Sequence, residues 1–321
     1  MTTLLKGPRL SSDALTRVLL PPGADTQIDK AFGDISRYAD SVGKYDIYDE
    51  QFWRDYILTS LTHRTYAPKK PRLSYSTVRI NMFCVDGTFR YAGVPSPVTP
   101  DIWTFLRGCR GIYARPQIPQ RPITLTDIDR IVAVLDPHDI RDISTAALIL
   151  FSFECAQRSS EMLRLFTMDL IFFEGRGYIV IFGRAKNHRT NTPRPISVAY
   201  AQDPKRCPVL WMQRWLRVLG DQPGAVFRSF RHGTLELSDH AMSSVTANDI
   251  IKRAASRAGI DPIGLSMQSM RRGRLTAGAS VGHDTPTLLR RSQHRNDRNL
   301  GRYVDNRYLD HSRYDKSLDF S

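Results

Sequence analysis

Cysteine is scarce in this chain, and what there is stands far apart. Cys84, Cys109, Cys155 and Cys207 are the four, with no CxxC pair among them. That argues against a structural zinc or a disulfide framework and fits a reducing compartment. An apolar start is missing too: residues 1–25 hold no sustained apolar core, and Pro21-Pro22 would break one. Neither a secretory signal nor a membrane span is expected, and the expected location is cytoplasmic. No internal repeat, low-complexity tract or aromatic RNA-recognition motif is visible, and no long basic amphipathic helix is present to lie on a membrane surface. Negative charge is the remaining deficit. Against 46 Lys and Arg stand 32 Asp and Glu, a formal charge of +14 over 321 residues. Such an excess favours a polyanionic partner, because each phosphate neutralised releases condensed counterions. A merely basic soluble protein has the same composition, so charge alone leaves both readings open.

The chain is long enough for two domains, and its apolar content of 41% is ordinary for a globular protein. After an irregular arm (1–24), Ile28, Ala31, Phe32, Ile35, Ala39 and Val42 recur at helical spacing. Further helices are predicted near 50–62, 74–91 and 99–111, giving a small all-helical domain over 25–113. In the helix at 74–91, Val78, Met82, Val85 and Phe89 form the apolar stripe, with Arg79, Asn81 and Arg90 assigned to the surface. Between the helices at 50–62 and 74–91, residues 64–72 carry Arg64, Lys69, Lys70 and Arg72 and read as a solvated basic loop suited to a DNA backbone. Pro116, Pro119 and Pro122 mark an extended linker over 114–122.

Beyond it, Thr124 or Thr126 can cap a helix whose Ile128, Ile131, Val132 and Leu135 share one face. Residues 143–155 are nearly all apolar and predict a buried helix, with Cys155 as a buried thiol. Strands are expected at 178–182 and 195–199, joined by a polar hairpin loop. Four more helices are expected at 208–219, 247–258, 267–279 and 285–292. The fold class is therefore mainly α, with a small β-sheet in the second domain.

Arg158 and Glu161 are expected at the end of the buried helix, three residues apart on one face. A charged pair there is either a structural ion pair or aimed at an anion. Lys186, in Gly183-Arg184-Ala185-Lys186, sits where a lysine is usually just solvated. Arg271 lies in Gln268-Ser269-Met270-Arg271-Arg272-Gly273, with Arg272 as its rival. His294 follows Arg271 by 23 residues and Tyr303 follows His294 by 9, with Tyr308 and Tyr314 as competing phenols. Paired guanidiniums, an imidazole and a phenol suit attack on one phosphodiester: the cations clamp non-bridging oxygens and the phenol is the nucleophile.

These words and intervals resemble the tyrosine recombinase (phage integrase) family, in its Cre/Xer-like branch. The resemblance selects Arg271 over Arg272 and Tyr303 over the other two phenols by interval. It implies a helical core-binding domain and a catalytic domain (123–303) forming a clamp on the duplex, with a tail (304–321) that docks on a neighbouring protomer. The helices around 26–42 and 74–91 are the candidates to enter the major groove. Arg158, Arg271 and His294 would hold the phosphate, with Glu161 in the same set. Lys186 would protonate the leaving 5′-oxygen, and Tyr303 would form a 3′-phosphotyrosyl link, with no metal or nucleotide cofactor. The implied partners are double-stranded DNA carrying paired recombination sites and further copies of the chain, as dimers and tetramers on nucleoid DNA. One position departs from the family pattern. Gln268 stands where the family's His-x-x-Arg box has its histidine, and an amide cannot take a proton. An active but slower or alkaline-shifted enzyme is expected, with a type IB topoisomerase and a DNA-binding relative of lapsed catalysis as the alternatives.

Overall fold

A computed structural model describes residues 24–44, 46–116, 119–183, 193–221, 223–293, 300–301 and 303–304. The chain divides into two compact units, Met1–Ile118 and Pro119–Ser321. Among the described residues, no helix is long and apolar enough to cross a membrane.

The first unit is helical: α1 (Ala24–Val42), α2 (Glu50–Thr62), α3 (Tyr75–Tyr91) and α4 (Pro100–Tyr113). Side chains of Asp49, Ser74 and Thr99 accept from the first free amides of α2, α3 and α4, as the orphan donors of a helix start require. The core is aromatic, with Tyr38, Phe52, Trp53 and Tyr56 packed at edge-on and tilted angles against Val78, Met82 and Val85. A carboxylate sits inside it. Asp34 accepts from Tyr56 (3.1 Å), Tyr66 (2.8 Å), Arg37 (3.0 Å) and Arg64. Burial works to raise its pKa, but the hydrogen bonds from Arg64, Tyr66 and Arg37 outweigh it and hold the carboxyl below its ordinary value.

That network overturns two expectations. Arg64 is not part of a solvated loop: it is 7% exposed, because it neutralises Asp34 and donates to Pro71 O at 3.1 Å. Lys69, Lys70 and Arg72 remain exposed. Asn81 is not on the surface either, being 3% exposed with its amide donating to the Tyr56 hydroxyl at 2.9 Å.

The second unit starts with α5 (Leu125–Ala133), closed by a reciprocal capping box between Thr124 and Asp127, which settles the cap on Thr124. Next come α6 (Ile140–Cys155), α7 (Ser159–Met162), β1 (Leu170–Phe173), β2 (Gly177–Phe182) and β3 (Arg194–Val198). They are followed by α8 (Pro208–Leu219), β4 (Arg228–Phe230), β5 (Leu237–Ala241), α9 (Ser244–Arg257), α10 (Met267–Ser280) and α11 (Thr285–Ser292). The buried helix is α6, and burial pushes the Cys155 thiol up to about 12. Instead of one small sheet, the described residues form two, an antiparallel β1-β2-β3 and a two-stranded β4-β5. β1 escaped prediction because it is only four residues long and alternates weakly. The third strand starts at Arg194, so this residue, expected in the loop, pairs with Phe182.

The helix that matters most is α10. Twelve of its residues are buried although three of these are arginines. Arg274 pairs with Glu154 at 3.0 Å, and Arg291 joins the same carboxylate at 3.3 Å. Gly273 lets the helix lie directly on the chain at Ile123, where a Cβ would stand 2.0 Å from the Ile123 carbonyl oxygen. A small third cluster of Leu275, Leu288 and Leu300 ties α10 and α11 to the segment that follows, with Tyr303 and Val304 packed on it.

Candidate active site

Arg158 does not end the buried helix. Ala156 turns left-handed (φ 52°) and stops α6, so Arg158 caps the short α7 instead. Its amide donates to Glu161 Oε2 at 3.2 Å, and its guanidinium lies 3.7 Å from Glu161 Oε1. The expected pairing with Glu161 is present, with the Arg158 side chain 30% exposed and therefore reachable.

Arg271 is completely buried and donates to Ser292 O at 2.8 Å. Its guanidinium carbon stands 5.2 Å from the centre of the Tyr303 ring. Arg272, the rival, is also buried at 6%, but it is Arg271 that meets the phenol. Burial, and after it the nearby charge of Arg158, lowers the Arg271 pKa to about 10, with Tyr303 and Glu161 pulling the other way. Buried positive charge beside a second arginine is what a bound anion would relieve.

Gln268 stands one helical turn before Arg271, so both project from the same edge of α10. Its Nε2 donates to the Tyr303 hydroxyl at 2.9 Å. Tyr303 itself is half-buried. Its amide donates to Leu300 O at 2.7 Å, and its carbonyl accepts from Thr276 at 3.4 Å. Arg158, Glu161, Gln268, Arg271 and Tyr303 thus converge from the α6–α7 turn, α10 and the segment after α11. Lys186 and His294 lie outside the described residues, as do Arg184, Tyr308, Tyr314 and the tail beyond 304.

One participant was missed. Arg194 donates to Glu161 Oε1 at 3.4 Å, to Gly183 O at 2.7 Å and to Gln293 Oε1. Nothing local separates an arginine at a hairpin stem from a solvated one, so only the fold reveals it.

The helical unit has a basic feature of its own. A cleft of about 500 Å³ between α3 and α4 is lined by Arg79, Arg107, Arg110 and Arg115, with Phe83 and Trp103 among its apolar walls and no carboxylate. The two rings meet at a tilt of 45° with centroids 4.6 Å apart, and Arg79 lies over Phe83 at 5.0 Å.

Solved structures share this architecture of a helical unit and an α-rich unit with small antiparallel sheets, which places the chain in the integrase fold class. The lambda integrase dimer bound to a COC′ core site matches with a TM-score of 0.60 at 13% identity, over 93% of this chain and 76% of that one. The Tn1549 transposon integrase in complex with transposon right end DNA matches with a TM-score of 0.62 at 14% identity, over 92% and 93%. The family model described as the phage integrase family matches residues 121–309, more than half the chain. The protein belongs to the phage integrase family. Among curated relatives, the integrase/recombinase xerD homolog of Selenomonas ruminantium is 25% identical over 184 residues, 57% of this chain and 53% of the relative. The chain therefore spans about half the length of that relative.

Proposed function

We propose that the protein is a site-specific DNA recombinase that cuts and rejoins strands through a 3′-phosphotyrosyl intermediate, with Tyr303 as nucleophile. The observation that carries this reading is the phenol held between an amide and a buried guanidinium: Tyr303 Oη at 2.9 Å from Gln268 Nε2, its ring 5.2 Å from Arg271, with Arg158 close enough to perturb that arginine. Family membership and the net charge of +14 support a DNA substrate.

In the proposed step, Tyr303 Oη attacks the scissile phosphorus and the bond to the 5′-oxygen breaks. Arg158 and Arg271 neutralise the non-bridging oxygens as charge builds in the transition state, the largest kind of contribution a preorganised site makes. Glu161 keeps Arg158 oriented, and His294 adds a donor to the same phosphate. Lys186 delivers the proton that the leaving alkoxide needs. Gln268 donates to the phenol oxygen and so holds it in place, but an amide does not accept its proton, so that proton passes to water. A 5′-hydroxyl from a partner duplex then attacks the phosphotyrosine and frees Tyr303. Each step exchanges one phosphodiester for another, so no ATP or metal is required. Paired recombination sites demand that copies of the chain assemble as dimers and tetramers on DNA, the tail beyond 304 docking on a neighbour.

The test is a nicked suicide duplex that traps the covalent adduct, analysed on a denaturing gel. The protein should form a band that Tyr303→Phe abolishes while DNA affinity stays the same. Binding without any adduct would instead identify a DNA-binding relative whose catalysis has lapsed, the reading that Gln268 favours.

A further inference from the structure

The Arg194 side chain is only 11% exposed, and all three of its guanidinium nitrogens are engaged by protein acceptors. Nε and Nη2 donate to Gly183 O at 3.3 and 2.7 Å, Nη2 also reaches Glu161 Oε1 at 3.4 Å, and Nη1 donates to Gln293 Oε1. These acceptors belong to three separate segments: the stem of the β2–β3 hairpin, the α7 turn, and the left-handed corner (Gln293, φ 55°) that closes α11. Two of the three sit directly against the phosphate-binding arginines. Glu161 is the residue that holds Arg158, and Ser292, adjacent to Gln293, is the carbonyl that holds Arg271.

We propose that Arg194 is a positioning residue that sets the spacing of the Arg158–Arg271 pair across the scissile phosphate without touching the DNA. The inference rests on the recombinase reading above. A planar fork with donors in fixed directions can bind three acceptors at once, whereas a lysine ammonium on a flexible stem would satisfy one and release the others. Arg194 also adds its charge to the field felt at Arg271, as expected of a neighbour just behind the site. Because all three of its nitrogens already face protein acceptors, it has little to offer a phosphate directly.

The experiment compares Arg194→Gln and Arg194→Lys with the unsubstituted protein on two suicide duplexes. One carries the ordinary scissile phosphodiester. The other carries a methylphosphonate there, which lacks the negative charge that the arginine pair neutralises. On the phosphodiester, both variants should form adduct about 100-fold more slowly, the loss typical of a reacting group displaced by about an ångström. On the methylphosphonate, the variants and the unsubstituted protein should agree within about threefold, since a misplaced charge clamp no longer matters. DNA affinity should be unchanged throughout. Equal losses on both substrates would mean general damage to the fold and would overturn the proposal. So would an unchanged rate on the phosphodiester, or a fall in affinity that accounts for the lost rate, which would make Arg194 a direct DNA contact. Absence of any adduct with the unsubstituted protein would overturn the recombinase reading and this inference with it. Adduct formation by Arg194→Gln at the unsubstituted rate would overturn this inference alone.

Discussion

In the proposed mechanism the chemistry turns on Gln268. Its amide donates to Tyr303 at 2.9 Å, which orients the proposed nucleophile. It has no basic site of useful strength, and it cannot carry the phenolic proton away. Cleavage should therefore accelerate as hydroxide rises, with no plateau around neutrality. A histidine at this position would bring a base that titrates near pH 6.5 in the absence of other influences. Gln268→His should raise single-turnover cleavage near neutral pH by about 100-fold, the lower end of what a positioned general base contributes. The rate should then level off above the pKa of the imidazole instead of climbing. Rapid-quench cleavage rates between mildly acidic and alkaline pH would test this. A superimposable profile for the two proteins would mean that proton removal is not what limits the reaction.

At the scale of elements, α10 decides whether the site exists at all, because it carries both Gln268 and Arg271 and is anchored by a glycine. With a Cβ at Gly273 standing 2.0 Å from the Ile123 carbonyl oxygen, the contact is with backbone, which has no rotamer to yield. The helix must move. Gly273→Ala should cost about 1–3 kcal/mol of stability in chemical denaturation, the usual range for overpacking. Its cleavage rate should fall further than the stability loss explains, because Gln268 and Arg271 shift with the helix; full activity would show that α10 tolerates displacement. How much of this was legible beforehand depends on the element. The long amphipathic and apolar helices announced themselves by period, whereas the cap was narrowed only to Thr124 or Thr126 until the Asp127 capping box decided it, and the close approach at Gly273 needed the fold. The α6–α7 break at Ala156 did not, since alanine carries no signal for a left-handed turn, and so Arg158 was placed on the wrong element. β1 was too short to register. Arg64 and Asn81 were misjudged because a polar residue looks solvated until its partner, here Asp34 or Tyr56, arrives from elsewhere in the chain. Arg194 shares that blindness: all three of its acceptors are distant in sequence.

For the molecule as a whole, the proposed DNA substrate makes the distribution of charge decisive, and the excess of basic residues is not spread evenly. The cleft between α3 and α4 brings four exposed arginines together with no carboxylate and sets them beside a tilted aromatic pair. We propose that this cleft grips the duplex backbone, so that the helical unit supplies affinity while the second unit supplies chemistry. Counterion release then makes a quantitative demand. The logarithm of the binding constant should fall linearly with the logarithm of salt, with a slope of about −0.9 for each phosphate neutralised. Replacing Arg107 and Arg110 together by Gln should make that slope shallower by about 2, weakening binding at every sequence tested. Tyr303→Phe should leave the slope unchanged, since a phenol neutralises nothing. Fluorescence anisotropy titrations over a salt series measure both. The same double variant distinguishes the recombinase from a topoisomerase-like relaxer of supercoils. Recombination needs several protomers held on DNA together, so recombinant product should fall much more steeply than single-site binding as salt rises. If supercoiled plasmid were relaxed with no recombinant product at any salt, and the slope were indifferent to Arg107 and Arg110, the α3–α4 cleft would lose its assigned role and the protein would act on DNA one copy at a time.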